Sequence, residues 1–98
     1  MSATPSGHSG ISIYPNPVFG PTVNVIPPAY SGLSDVRVEI FTTAFRKVQD
    51  GIFPNVPPGV AVEVELKDKW GKPLADGLYY LMVLVDGSRS IGKLMVLR

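Results

Sequence analysis

An antiparallel all-β sandwich of about seven short strands is the fold this sequence predicts, and three observations predict it. Gly and Pro number ten each in 98 residues, about a fifth of the chain against a usual ~12%. They fall in clusters between apolar runs, as turns fall between strands. Several of those runs alternate apolar with polar residues, which is the period of a half-buried strand. No run supports a helix: the one long apolar stretch, 78–85, is too short and too rich in Val and aromatics.

Residues 1–10 are small and polar. They bury too little apolar area to offset ordering entropy, so they read as a flexible head or linker ahead of one domain over 11–98. A short strand at 11–14 is stopped by Pro15-Asn16-Pro17, because neither proline donates to a ladder. The run 22–26 follows, with Val23 and Val25 on one face, and Pro27-Pro28 ends it. Ala29 to Asp35 reads as a polar loop with Tyr30 and Leu33 as anchors. The clearest strand is 36–41, with Val36, Val38 and Ile40 inward and Arg37 and Glu39 outward.

After a turn near Thr42–Phe45, a weaker strand at 46–53 has Gly51 as its expected bulge. Residues 60–66 alternate again, with Val60, Val62, Val64 and Leu66 inward and Glu63 and Glu65 outward. A polar connection over 67–77 carries Trp70. The run 78–85 is unbroken and reads as a central strand covered on both faces, with Tyr80 and Met82 expected in the core beside Leu94. Asp86-Gly87 is a hairpin signal, and 91–97 closes the sheet. Short strands at this spacing indicate a sandwich of immunoglobulin-like type.

Composition excludes several classes of function. Without Cys there is no disulfide, thiol nucleophile, Cys–zinc site or iron–sulfur cluster. The single His, His8, lies in the head, so no His-pair site or Ser–His triad is expected. Nine basic against eight acidic residues argue against nucleic acid as a partner, since phosphate binding needs concentrated cations. No run reaches the ~18 apolar residues of a membrane helix. Asp68, Asp76 and Asp86 lie in separate loops and read as turn formers rather than calcium ligands. Glu39, Glu63 and Glu65 read as a solvated face. Trp70, Tyr30, Tyr79 and Tyr80 offer a possible sugar-stacking platform, although Trp70 fits better as a loop anchor. No catalytic residue, cofactor or metal is expected, and a small-molecule ligand is disfavoured.

Five segments resemble a bacterial Ig-like family. They are Tyr14-Pro15-Asn16-Pro17-Val18 leading into Thr22-Val23-Asn24-Val25; the strand 36–41 followed by Arg46-Lys47-Val48; Pro58-Gly59 and the strand to Leu66; Asp68, Gly71 and Lys72-Pro73-Leu74-Ala75-Asp76-Gly77-Leu78-Tyr79-Tyr80; and Gly92-Lys93-Leu94-Met95-Val96-Leu97-Arg98. That family includes the C-terminal Ig-like domain of the flagellar hook-capping protein and the C-terminal sorting domain of type IX secretion substrates. Two departures stand out. Thr42-Thr43-Ala44-Phe45 occupies a tight turn where the family usually has Gly. Leu66-Lys67-Asp68, with Trp70 beyond, replaces the usual Trp-Asp.

The resemblance implies a non-catalytic accessory module of a larger exported protein, extracellular or on the cell surface. Its partners would be secretion or cell-surface machinery, or like subunits. Tyr14, Pro15, Asn16, Pro17, Gly71, Ala75, Gly77 and Tyr79 would be structural. Trp70, Lys93 and Arg98 would face a partner. An assembly domain like that of the hook-capping protein and a carbohydrate-binding module are the alternatives.

Overall fold

The computed structural model describes residues 10–97, so Arg98, His8 and all of the expected head but Gly10 lie outside it. Seven strands run in chain order: β1 Ser12–Tyr14, β2 Thr22–Ile26, β3 Ser34–Thr42, β4 Lys47–Val56, β5 Val62–Glu65, β6 Gly77–Val85 and β7 Ser88–Val96. They form two antiparallel sheets, one ordered β1-β2-β5 and the other β4-β3-β6-β7. The molecule is a β-sandwich.

Alternation supplies the core. Val23 and Val25 of β2, Val62 and Val64 of β5, and Val36, Val38 and Ile40 of β3 are all buried between the sheets. Leu81, Val83, Val85, Leu94 and Val96 complete it from β6 and β7. Val18 ties the sheets together beyond β1. It bridges Val96 in parallel, the Val18 N–H donating to the Met95 carbonyl at 2.8 Å while Leu97 N–H donates to the Val18 carbonyl at 2.9 Å. The Tyr14–Pro15 and Asn16–Pro17 peptide bonds are cis.

Several expectations need correction. Tyr80 and Met82 are not core residues: Tyr79 is buried, 8% exposed, in phase with Leu81 and Val83, while Tyr80 and Met82 lie half-buried on the other face. Val60 is exposed because residues 57–60 form a turn, with Val60 N–H directed at the Pro57 carbonyl, and β5 starts only at Val62. Leu33 is exposed, so Tyr30 alone anchors its loop, its hydroxyl 2.7 Å from the Val56 carbonyl and 3.0 Å from that of Pro57. Gly51 sits in regular register opposite Val38, and the irregularities of that ladder fall at Ser34/Val36 and Ile40/Phe41 instead. Finally, Glu39 is 9% exposed, roofed by its own ion pairs rather than solvated.

The turns follow their local chemistry. Asp86 and Gly87 have φ of +51° and +76°, the pair of positive angles that a two-residue hairpin between right-twisted strands requires. Phe45 takes φ +63° in the turn that lacks the expected Gly, closed by Phe45 N–H donating to the Thr42 carbonyl at 2.8 Å.

Candidate interaction surface

The outer face of the four-stranded sheet is built in rows that the register dictates. Arg89, Leu84, Arg37 and Ile52 lie side by side across β7, β6, β3 and β4; the next row is Ile91, Met82, Glu39 and Asp50, and the third is Lys93, Tyr80, Phe41 and Lys47. Its two halves differ in character. On β3 and β4 the charges saturate one another. Glu39 accepts from Arg37 Nε at 3.2 Å and Lys47 Nζ at 3.3 Å, and Asp50 lies 3.5 Å from Arg37 and 3.1 Å from Lys47. The Lys47 ammonium holds the Asp50 carboxyl below its usual range, and Lys47 is raised in turn, by Asp50 first and Glu39 second.

On β6 and β7 an apolar strip runs between Arg89 and Lys93. Phe45 stacks on Tyr80 with ring centroids 5.1 Å apart and planes 8° from parallel. Beside the stacked rings, Phe41, Met82 and Ile91 line a shallow trough of about 250 Å³ that Arg89 closes at one end. Phe45 is 67% and Ile91 49% exposed. The unbroken run 78–85 reads in the sequence as a strand covered on both faces, and the structure corrects this: Tyr80, Met82 and Leu84 are only half-buried on the outer face.

The structural motif residues meet in two places. Asn16 lies beside β7, where its Nδ2 donates to the Lys93 carbonyl at 2.9 Å and its Oδ1 accepts from Met95 N–H at 3.0 Å. The side-chain amide thus stands in for a peptide group on that edge. Tyr14 is exposed, and Pro15 and Pro17 flank Asn16. At the same end of the sheet, one strand over on β6, the Tyr79 hydroxyl donates to the Ala75 carbonyl at 2.6 Å, closing the bend in which Gly77 takes φ +148°. Gly71, with φ +82°, belongs to a loop closed by Asp68, whose Oδ1 accepts from Trp70 N–H and Lys72 N–H, both at 2.9 Å. Asp68 is therefore a turn former, and no group of three potential metal ligands occurs among the described residues.

Trp70 does not anchor that loop. It is 75% exposed, with Lys69 Nζ 4.9 Å from the ring centroid, because backbone bonds to Asp68 close the turn without its side chain. Lys93 is also exposed, on the outer face at the β7 edge. The four candidate stacking aromatics do not converge: Tyr79 is buried, Tyr30 is held at the end of β4, Tyr80 is covered by Phe45, and Trp70 projects alone. Sequence reasoning missed Phe45, Met82 and Ile91 as one surface: the register of β6 with β7 sets Met82 beside Ile91, and the turn after β3 lays the Phe45 ring on Tyr80.

No family model matches the chain, and no curated protein matches it. Solved structures do. Dimeric latent PorU from Porphyromonas gingivalis is similar at 20% identity and a TM-score of 0.68, over 89% of this chain and 9% of that one. PorZ, described as an essential bacterial surface component of the type-IX secretion system of the same organism, is similar at 20% identity and a TM-score of 0.64, over 91% of this chain and 12% of that one. The chain thus spans about a tenth of the length of each, and likeness at this identity establishes a shared β-sandwich fold.

Proposed function

We propose that this chain is a non-catalytic accessory module of a larger exported bacterial protein, serving its secretion and surface sorting by machinery of type IX kind. The observation that carries this reading is the sandwich shared with PorU and PorZ over some nine-tenths of the chain, in a sequence whose segments resemble those of sorting domains. The β6–β7 hairpin supplies the recognised surface, since it places half-buried Met82 and exposed Ile91 on the outer face and Lys93 at its edge.

Fusion to a periplasmic reporter in a type IX-competent host tests it. Residues 11–98 should carry the reporter to the surface or medium, and Lys93→Ala with Arg98→Ala should reduce export while leaving the fold intact. A folded fusion that stays in the periplasm overturns the sorting reading. The apolar trough favours the second reading, an assembly domain of the hook-capping kind, and sedimentation at rising concentration would then show self-association.

A further inference from the structure

Strand β7 is an edge strand whose outer side is only half occupied. On its inner side it pairs with β6 along its full length. On the outer side, the Met95 carbonyl accepts from Val18, the Lys93 carbonyl from Asn16, and Met95 N–H donates to Asn16. Backbone groups of every second residue point to the same side of an antiparallel strand, so Ile91 and Arg89 also direct their N–H and C=O outward. Among the described residues, nothing bonds to them. An intramolecular strand addition therefore begins at Val18, continues through the Asn16 amide and stops at Lys93.

The vacant stretch opens on a groove of about 460 Å³, lined by Ile11, Ile13, Tyr80, Ile91 and Lys93 with Asn16 at its closed end. Gly92 is what admits the Ile11 and Ile13 side chains as its floor: a Cβ there would lie 2.8 Å from Ile13 Cδ1 and 2.9 Å from Ile11 Cδ1. An entering chain would thus find unpaired backbone on one side and an apolar floor beneath it.

Charge selects the occupant. Arg89 and Lys93 flank Ile91 on the outer face and have no acidic partner among the described residues. A second copy adding its own β7 antiparallel, Ile91 on Ile91, would put Arg89 opposite the partner's Lys93, and like charges directly opposite are destabilising. Edge cations of this kind discourage self-pairing, whereas an acidic strand would turn both into cross-strand ion pairs. The other edge of the same sheet suits such a strand less. There β4 carries Pro54 and Asp50, is bridged to β5 by the Gln49 amide donating to the Glu65 carbonyl, and lies beside Glu63 and Glu65.

We propose that the free edge of β7 binds an extended segment of another protein by strand addition, with acidic residues opposite Arg89 and Lys93 and an apolar residue opposite Ile91. This concerns how the edge recognises a peptide and holds whatever the parent protein's route of export.

Titration of the isotopically labelled full chain with a short capped peptide, threonine-rich with Glu, Ile and Glu at alternate central positions, tests it. Binding should shift the Arg89, Ile91 and Lys93 amides and slow hydrogen exchange at Ile91. The lysine counterpart of the peptide should bind roughly tenfold more weakly or worse, the loss expected from reversing two cross-strand pairs. A peptide N-methylated at the central Ile should also fail. Ile91→Pro removes one outward N–H and no bond to β6, and should abolish binding. Arg89→Glu with Lys93→Glu, which keeps every backbone donor, should reverse the charge preference. Equal binding of both peptides, tolerance of N-methylation, shifts confined to the outer-face side chains or to β4, or no binding at the highest soluble peptide concentration would each overturn the proposal. Because export plays no part in the readout, failure here leaves the sorting reading standing, and the reverse holds too.

Discussion

Asn16 makes two backbone bonds that the prolines on either side of it could not. Replacing it with Ala removes both and frees the Lys93 and Met95 groups to water. Asn16→Ala should therefore lower stability by about 1–2 kcal/mol in chemical denaturation, with little change in fold. A variant as stable as the parent would show that the edge is sealed by Val18 alone. Phe45 works at the same scale in two opposed ways. Its φ of +63° is a conformation that Gly adopts without strain, yet its ring stacks on Tyr80, which is worth about 0.5–1.5 kcal/mol. Phe45→Ala loses the stack and keeps the strain, whereas Phe45→Gly loses both. The Gly variant should be the more stable of the two by about 1 kcal/mol; the reverse order would mean that the turn opens when the ring is removed.

At the scale of strands, β6 shows what alternation can and cannot reveal. In β3 and β5 the polar residues Arg37, Glu63 and Glu65 mark the outer face, so Val38, Val62 and Val64 were legible as core from sequence alone. The run Leu78 to Val85 has no polar residue to set its phase, and either tyrosine could have entered the core. Tyr79 goes in because its hydroxyl can donate to the Ala75 carbonyl in the turn beneath it, a bond that only the folded backbone creates. Leu81→Ala should therefore cost about 2–5 kcal/mol, and Met82→Ala on the open face much less. Equal losses would return β6 to the opposite phase. Likewise Val64→Asp should abolish cooperative unfolding, because an unpaired buried charge costs several kcal/mol, while Glu63→Ala should be nearly silent. The interaction surface was less legible than the core for a related reason. Phe45, Tyr80 and Ile91 come from three separate segments, and only the cross-strand register of β6 with β7 and the fold of the turn at Phe45 make them neighbours. Trp70 is exposed where the sequence favours a loop anchor, because a polar residue, Asp68, closes the loop in place of the aromatic.

Across the whole molecule, two groups far apart set opposite limits on stability with pH. On the outer face, ion pairing with Lys47 depresses the Asp50 carboxyl, so its contribution is present above the ordinary carboxylate value of 3.8 and lost as pH falls through the lower folded value. Asp50 is well exposed, so that acid limb is shallow and weakened by salt. Tyr30 acts at the other extreme. Burial, and then the Asp86 carboxylate, raise its hydroxyl above the ordinary value of 10.0, because both disfavour the charged phenolate. A group raised in the folded state contributes stability that is complete below its unfolded value and is lost as pH rises through the folded one. Tyr30→Phe should therefore be less stable than the parent near neutrality, by about 1 kcal/mol for the lost hydrogen bond. The gap should close as pH climbs beyond the ordinary tyrosine range, since the parent alone has a hydroxyl there to ionise. Denaturation of both proteins across that alkaline range provides the comparison. A gap that stays constant with pH would mean that the Tyr30 hydroxyl ionises as freely in the folded chain as in the unfolded one.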